Sequence, residues 1–146
     1  MSSERASAPY TNSAGLRVAV GPLAGPTICR VVSMLAGRAG CPLDRLDDAL
    51  LICDAIIDHA PAHVRDGRIA LEVTVSDTSL ELRLGPLTSS GAEAILAAAI
   101  IPGIGNVLTQ VSDRAVVLPA HDGERLLLGL DFAPARPSGG PVGLAR

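Results

Sequence analysis

The sequence predicts an α+β fold, a two-layer sandwich with its helices laid on one face of a mostly antiparallel sheet. Three observations carry this expectation. Ile69-Ala-Leu-Glu-Val-Thr-Val75 and Leu80-Glu-Leu-Arg-Leu84 alternate apolar and polar residues, the signature of strands with one buried face, and Asp77-Thr78-Ser79 between them is turn chemistry. The stretch from Leu43 to Pro61 instead repeats its apolar residues every three to four positions, as an amphipathic helix does. The order of such segments is strand, two helices, two strands, two helices, two strands, which segregates helices from a sheet of hairpins.

Each element has its own warrant. Residues 1 to 14 are rich in Ser, Ala, Pro and Asn and are predicted disordered, as is the tail from Ala133 to Arg146 with its Pro-Ser-Gly-Gly-Pro run. The folded domain is therefore expected over residues 15–132. Leu16 to Val20 alternates enough for a first strand. Pro26 suits the first turn of a helix, Ile28, Val31, Val32, Leu35 and Ala39 give it an apolar face, and Gly40 ends it. The second helix begins near Leu43, turns Leu46, Ala49, Leu50, Cys53, Ile57 and Ala60 toward the core, and stops at Pro61. After the hairpin, Gly85 to Ser90 reads as a loop, and Gly91 to Ile101 as an Ala-rich helix closed by Pro102. Gly103-Ile104-Gly105 opens a short helix from Asn106 to Ser112. Ala115 to Leu118 and Leu126 to Phe132 are the last strands, joined by the turn His121-Asp122-Gly123.

Composition excludes several functions. The chain has 146 residues, enough for one domain with a real core. It has one Tyr, one Phe and no Trp, so aliphatic packing must close the interior. All 12 basic residues are Arg, which rules out a catalytic lysine and a Walker-type phosphate loop. A net charge of -3 with no basic run and no aromatic platform argues against nucleic acid as a direct partner. Cys29, Cys41 and Cys53 form no C-x-x-C pair and read as small buried hydrophobes in a reducing compartment. The longest apolar run, Ala94 to Ile101, is too short to span a bilayer, and no leader-like segment opens the chain. The expectation is a soluble, cytoplasmic protein with no membrane partner.

The most informative residues are acidic. At about 100° per residue, Asp47, Asp54 and Asp58 fall on one stripe along the edge of the second helix's apolar face. Carboxylates one turn apart repel each other unless water, a cation or a partner lies between them. The stripe is read either as a wet helix flank or as part of a site.

The element order and motif positions, from Leu16 to Phe132, resemble the histidine-kinase-like ATPase superfamily, and within it the anti-sigma-factor serine kinases of bacterial stress and sporulation switches. Those proteins carry an E-x-x-x-N box on a long helix. Cys53-Asp-Ala-Ile-Ile-Asp-His-Ala60 sits where that box belongs, so the resemblance puts Asp54 in the catalytic Glu place and Asp58 in the Mg²⁺-holding Asn place. Gly103-Ile-Gly105, followed by Asn-Val-Leu and Val111-Ser-Asp-Arg-Ala-Val-Val117, resembles the second glycine box and implies phosphate contacts from Gly103 and Gly105. Gly123 and the final strand resemble the closing motif. The resemblance implies ATP and Mg²⁺ as cofactors. The departures imply that they bind weakly. Asp54 is one methylene shorter than Glu, and catalysis is sensitive to misplacement on that scale. The first glycine box, whose Asp selects adenine, is replaced by Gly85-Pro86-Leu87-Thr88-Ser89, and the closing motif's Thr is Glu124, an anion expected to face the nucleotide.

Other candidates are weaker. His59 and His63 are separated by Pro61, which breaks the helical geometry of a metal pair. Ser89 and Ser90 have no evident base and read as cap and turn residues. The leading expectation is an anti-sigma-like regulator that acts by contact with a sigma factor or its antagonist domain, with a homodimer as one candidate assembly. Two others stand beside it: an active serine kinase using Asp54 and Asp58, and a binding module without nucleotide whose acidic stripe meets an Arg-rich partner.

Overall fold

The computed structural model describes residues 11–132. Its strands are β1 (Thr11–Ala19), β2 (Arg68–Ser76), β3 (Ser79–Leu87), β4 (Ile100–Ile101), β5 (Gly105–Asn106), β6 (Arg114–Ala120) and β7 (Gly123–Asp131). Its helices are α1 (Ala24–Arg38), α2 (Leu43–His59), α3 (Gly91–Ala98) and α4 (Val107–Val111), with a short 3₁₀ turn, Ala60–His63, after α2. Five strands form one sheet in the order β1-β2-β3-β7-β6, every neighbouring pair antiparallel, and β4 and β5 make a separate two-stranded ribbon. The fold is the expected α+β two-layer sandwich.

Alternation explains the layering. Ile69, Leu71, Val73 and Val75 on β2, Leu80, Leu82 and Leu84 on β3, and Leu126, Leu128 and Leu130 on β7 are buried and face the helices. Ile28, Val32 and Leu35 of α1 and Ala49, Ile52, Cys53 and Ile56 of α2 meet them. The residues between these on each strand form an open face, as an antiparallel sheet covered on one side requires.

Several boundaries differ from the sequence reading, each for a physical reason. β1 starts at Thr11, so residues 11–14 belong to the sheet although composition places them in a disordered segment. Their backbones pair with β2 from Thr11↔Ser76 onward while Thr11, Asn12 and Ser13 stay exposed, which an edge strand permits without apolar side chains. Residues 1–10 and the tail from Ala133 lie outside the described residues. The expected loop Gly85 to Ser90 begins inside β3, whose register shifts between Leu84 and Leu87. An irregularity of this kind lets Pro86 sit in a strand without breaking the ladder. The helix expected to reach Ile101 stops at Ala98, and Ile100–Ile101 becomes β4. Ile101 precedes Pro102, which pushes it out of helical backbone. The buried face of α2 is also rotated. Ala49, Cys53 and Ala60 are buried as expected, but Ile52, Ala55 and Ile56 complete the face, and Leu46, Leu50 and Ile57 are only half-buried.

A polar clamp ties the N-terminal part of α2 to the sheet. The Asp113 carboxylate accepts from the Asp131 N–H at 2.6 Å and from Arg45 at 3.1 Å, and Arg45 also binds Asp48 at 2.7 Å. The Asp131 N–H, aided by Arg45 and Arg114, holds the Asp113 carboxyl below its usual range against the opposing effect of burial. A carboxyl depressed on folding adds stability that is complete above its unfolded value near 3.9 and is lost as pH falls through the lower folded value. The side chain is 41% exposed, so solvent screening limits the gain to about 1 kcal/mol. Asp113→Ala should therefore lower Tm at pH 7, and the gap from the parent should narrow as acid protonates the carboxyl below the ordinary carboxylate range. Thermal melts across that range check it; a gap unchanged by acid would refute the clamp.

Candidate functional site

The acidic stripe forms as the sequence predicts, since Asp47, Asp54 and Asp58 are all exposed on one edge of α2. Two of its members line a cavity of about 280 Å³ between α2 and the β4–β5 ribbon. Asp54, Asp58 and His59 supply its polar wall. Leu51 and Ala55 on α2, Ala98 and Ala99 at the end of α3, Ile100 and Ile101 on β4, and Val107 supply the rest. Its lip is exposed aliphatic surface: Leu51 is 46% exposed, Ile100 61% and Ile101 41%. Asp54 also borders a shallower groove between α1 and α2, with Cys29, Arg30 and Leu50.

The ribbon brings the two glycines near this cavity without placing either in its wall. Gly103 sits at the ribbon's tip with φ +83°, and nothing lies within 4 Å of where its Cβ would be. Gly105, at φ +103°, pairs with Ile101 in the ribbon, and a Cβ there would strike the Gln110 side chain. Its role on this evidence is close packing. The turn keeps few backbone donors free. Ile104 N–H bonds Ile101 C=O at 3.0 Å and Val107 N–H bonds Ala99 C=O at 2.8 Å. The Asn106 carboxamide accepts from Thr109 N–H at 3.1 Å and donates to the Leu96 carbonyl, so it caps α4 and anchors it to α3. Asn106 was the missed residue here, although an Asn just before an apolar run is a readable cap signal.

Other expected positions fall elsewhere. Glu124 is not in the cavity. Its carboxylate accepts from the Ala92 N–H at 3.1 Å at the start of α3, and it borders a separate depression with Arg65, Thr88 and Ser89. Ser90 takes a left-handed backbone at φ +63° immediately before α3, in keeping with a turn residue. His59 lines the cavity, but His63 does not; Pro61 and the 3₁₀ turn separate them. Cys53 is buried between the layers, and that burial pushes its thiol up to about 12, so it is inert as a nucleophile. Burial also raises the Cys29 and Cys41 thiols.

The donor set bears directly on the implied cofactors. A triphosphate needs cations and free N–H groups, but no arginine lines the cavity and the carboxylates of Asp54 and Asp58 are its full charges. No three His, Cys, Asp or Glu among the described residues converge to hold a metal ion. Asp58 alone can offer one hard oxygen to Mg²⁺. The residues present do not fit a tightly held Mg·ATP. They fit an aliphatic or cationic group. No helix among the described residues is long and apolar enough to cross a membrane. Comparison with protein-family models and with curated proteins finds no match.

Proposed function

We propose that this protein is a cytoplasmic regulatory module of the histidine-kinase-like ATPase type, resembling the anti-sigma-factor serine kinases, that works by protein–protein contact without tight nucleotide binding. The observation that carries this reading is the sign of the charge in the cavity beside α2, where carboxylates and aliphatic side chains stand in place of phosphate-binding groups. The expected partner is a sigma factor or a sigma-antagonist domain. Arg30 and Arg38 are exposed on α1 and form no ion pair with any described residue, so they can meet acidic residues of such a partner.

Calorimetry with Mg·ATP should show affinity weaker than about 100 μM, roughly -5.5 kcal/mol. Asp54→Asn and Asp58→Asn should leave stability within about 0.5 kcal/mol of the parent or raise it slightly, since carboxylate repulsion is relieved. Pull-down from native lysate should recover the same transcription regulator with and without ATP, and charge reversal at Arg30 and Arg38 should weaken it. Low-micromolar Mg·ATP binding that either Asn variant abolishes would instead favour a working serine kinase. Recovery of no transcription regulator would end the contact reading.

A further inference from the structure

The helices cover one face of the sheet, and the charges on the other face are sorted by position. Near the β6–β7 end, Arg114 is neutralised by Asp131 at 2.7 Å and Glu81 at 3.8 Å. The opposite end is different. Arg17 on β1, Arg83 on β3 and Arg125 on β7, with Glu72 on β2 between the first two, surround a depression of about 390 Å³ whose floor is Gly15, Ala70 and Gly85. The floor is nearly free of side chains. Nothing lies within 4 Å of a Cβ built on Gly15, and one on Gly85 would meet the Glu124 carbonyl at 2.7 Å and Arg125 Cγ at 2.9 Å. A second depression of about 310 Å³ shares Arg17 and Ala70 and adds Arg65 and Arg68.

The carboxylates on this face leave its guanidiniums only partly engaged. Asp66 binds Arg17 at 2.7 Å and Asp122 binds Arg125 at 3.0 Å. Each guanidinium has five N–H donors, so most remain available. Glu72 lies opposite Arg83 in the β2–β3 register, yet no ion pair joins them, and Arg83 makes no side-chain hydrogen bond to any described residue. Across the two depressions five arginines, Arg17, Arg65, Arg68, Arg83 and Arg125, face three carboxylates, Asp66, Glu72 and Asp122, a net positive surface on a chain whose net charge is -3.

We infer that the open face of the sheet docks an extended acidic segment of a partner protein, its carboxylates gripped by Arg17, Arg83 and Arg125 over the Gly15–Ala70–Gly85 floor. Spacing selects an extended chain. Arg17 and Arg125 stand three strands apart, about 14 Å, and alternate residues of an extended segment recur every ~7 Å, so carboxylates two repeats apart span the pair. Arginine favours carboxylate through paired N–H bonds, and a floor without side chains lets a peptide backbone approach closely. A nucleic acid would want aromatic stacking, which this face does not offer.

The test uses the full chain and a fluorescein-labelled peptide of about twelve residues alternating Glu and Ser, followed by anisotropy at about 20 mM salt, where the Debye length exceeds 20 Å. Saturable binding is expected, weakened about tenfold or more by Arg83→Glu, less by Arg83→Gln, and unaffected by Met34→Glu at an exposed position of α1, which changes the net charge as much as Arg83→Gln does. Arg83 is exposed, so both Arg83 variants should melt with the parent; should Arg83→Glu not fold, Arg83→Gln alone decides. Binding that Arg83→Gln leaves unchanged overturns the inference. So does equal loss with Met34→Glu, absence of binding, or tighter binding of an oligothymidylate of the same charge.

Discussion

Replacing Gly123 with alanine should destabilise the protein by about 3 kcal/mol or more, a loss seldom reached at a turn. The residue opens β7 at φ +129°, where L side chains are strained, and a Cβ there would run into the Leu87 carbonyl oxygen of β3. Gly85 answers it from the other strand, since its own Cβ would meet the Glu124 carbonyl. Backbone therefore packs on backbone where the two central strands meet, and an added methyl forces β3 and β7 apart. Gly103→Ala is the internal comparison. Its φ of +83° brings strain but its surroundings are open, so it should cost only about 1 kcal/mol. Urea unfolding of the two variants decides the matter: equal losses would mean that the β3–β7 contact is not close.

The second large effect is expected at Ile56, which has no exposed surface. Ile56→Ala should cost about 2–5 kcal/mol through lost transfer energy and a residual cavity. Ile57→Ala should cost markedly less. Ile57 is half-buried at the seam with α1, where its Cδ1 would lie 3.5 Å from a Cβ on Gly25. The comparison tests the rotation of α2 about its axis. If Ile57→Ala proved the more damaging, Asp54 and Asp58 would turn away from the cavity as well.

That rotation shows how far the sequence could be read. Periodicity alone placed Asp47, Asp54 and Asp58 on one stripe, because three positions separated by seven and four residues share a helix face whatever the helix packs against. It could not say which side of the stripe is core. Apolar residues surround α2 almost continuously from Ala49 to Ile57, and only packing against α1, the sheet and α4 selects Ile52 and Ile56 over Leu50 and Ile57. The hairpins were legible because strict alternation and turn residues agree, as at Leu80 to Leu84. β1 was half legible, since its first four residues are held by β2's backbone rather than by their own chemistry.

The candidate site divides in the same way. Asp54 and Asp58 share a cavity with Ile101 and Val107, which flank the segment carrying Gly103 and Gly105, and the chemistry there depends on groups distant in sequence. The Asn106 cap, the Ala99 carbonyl that takes the Val107 N–H, and the Gln110 side chain against Gly105 occupy the positions around the glycine turn. Ile101 turns from helix to strand only because Pro102 follows it, and with it the wall of the cavity becomes aliphatic. Glu124, expected to face a nucleotide, is drawn instead to the start of α3.

The strand order β1-β2-β3-β7-β6 also governs how the chain can assemble. Within this sheet only β2–β3 and β6–β7 are hairpins of directly connected strands, while Thr11 pairs with Ser76 and Leu80 with Leu130. Closing such distant pairs exacts loop entropy before their contacts form, so the search for the sheet is governed by topology more than by local preference. On a ribosome the consequence is an ordering in time. β1 emerges before every other described strand, yet it has nothing to pair with until β2 follows some fifty residues later, and the sheet's centre waits longer still for β7.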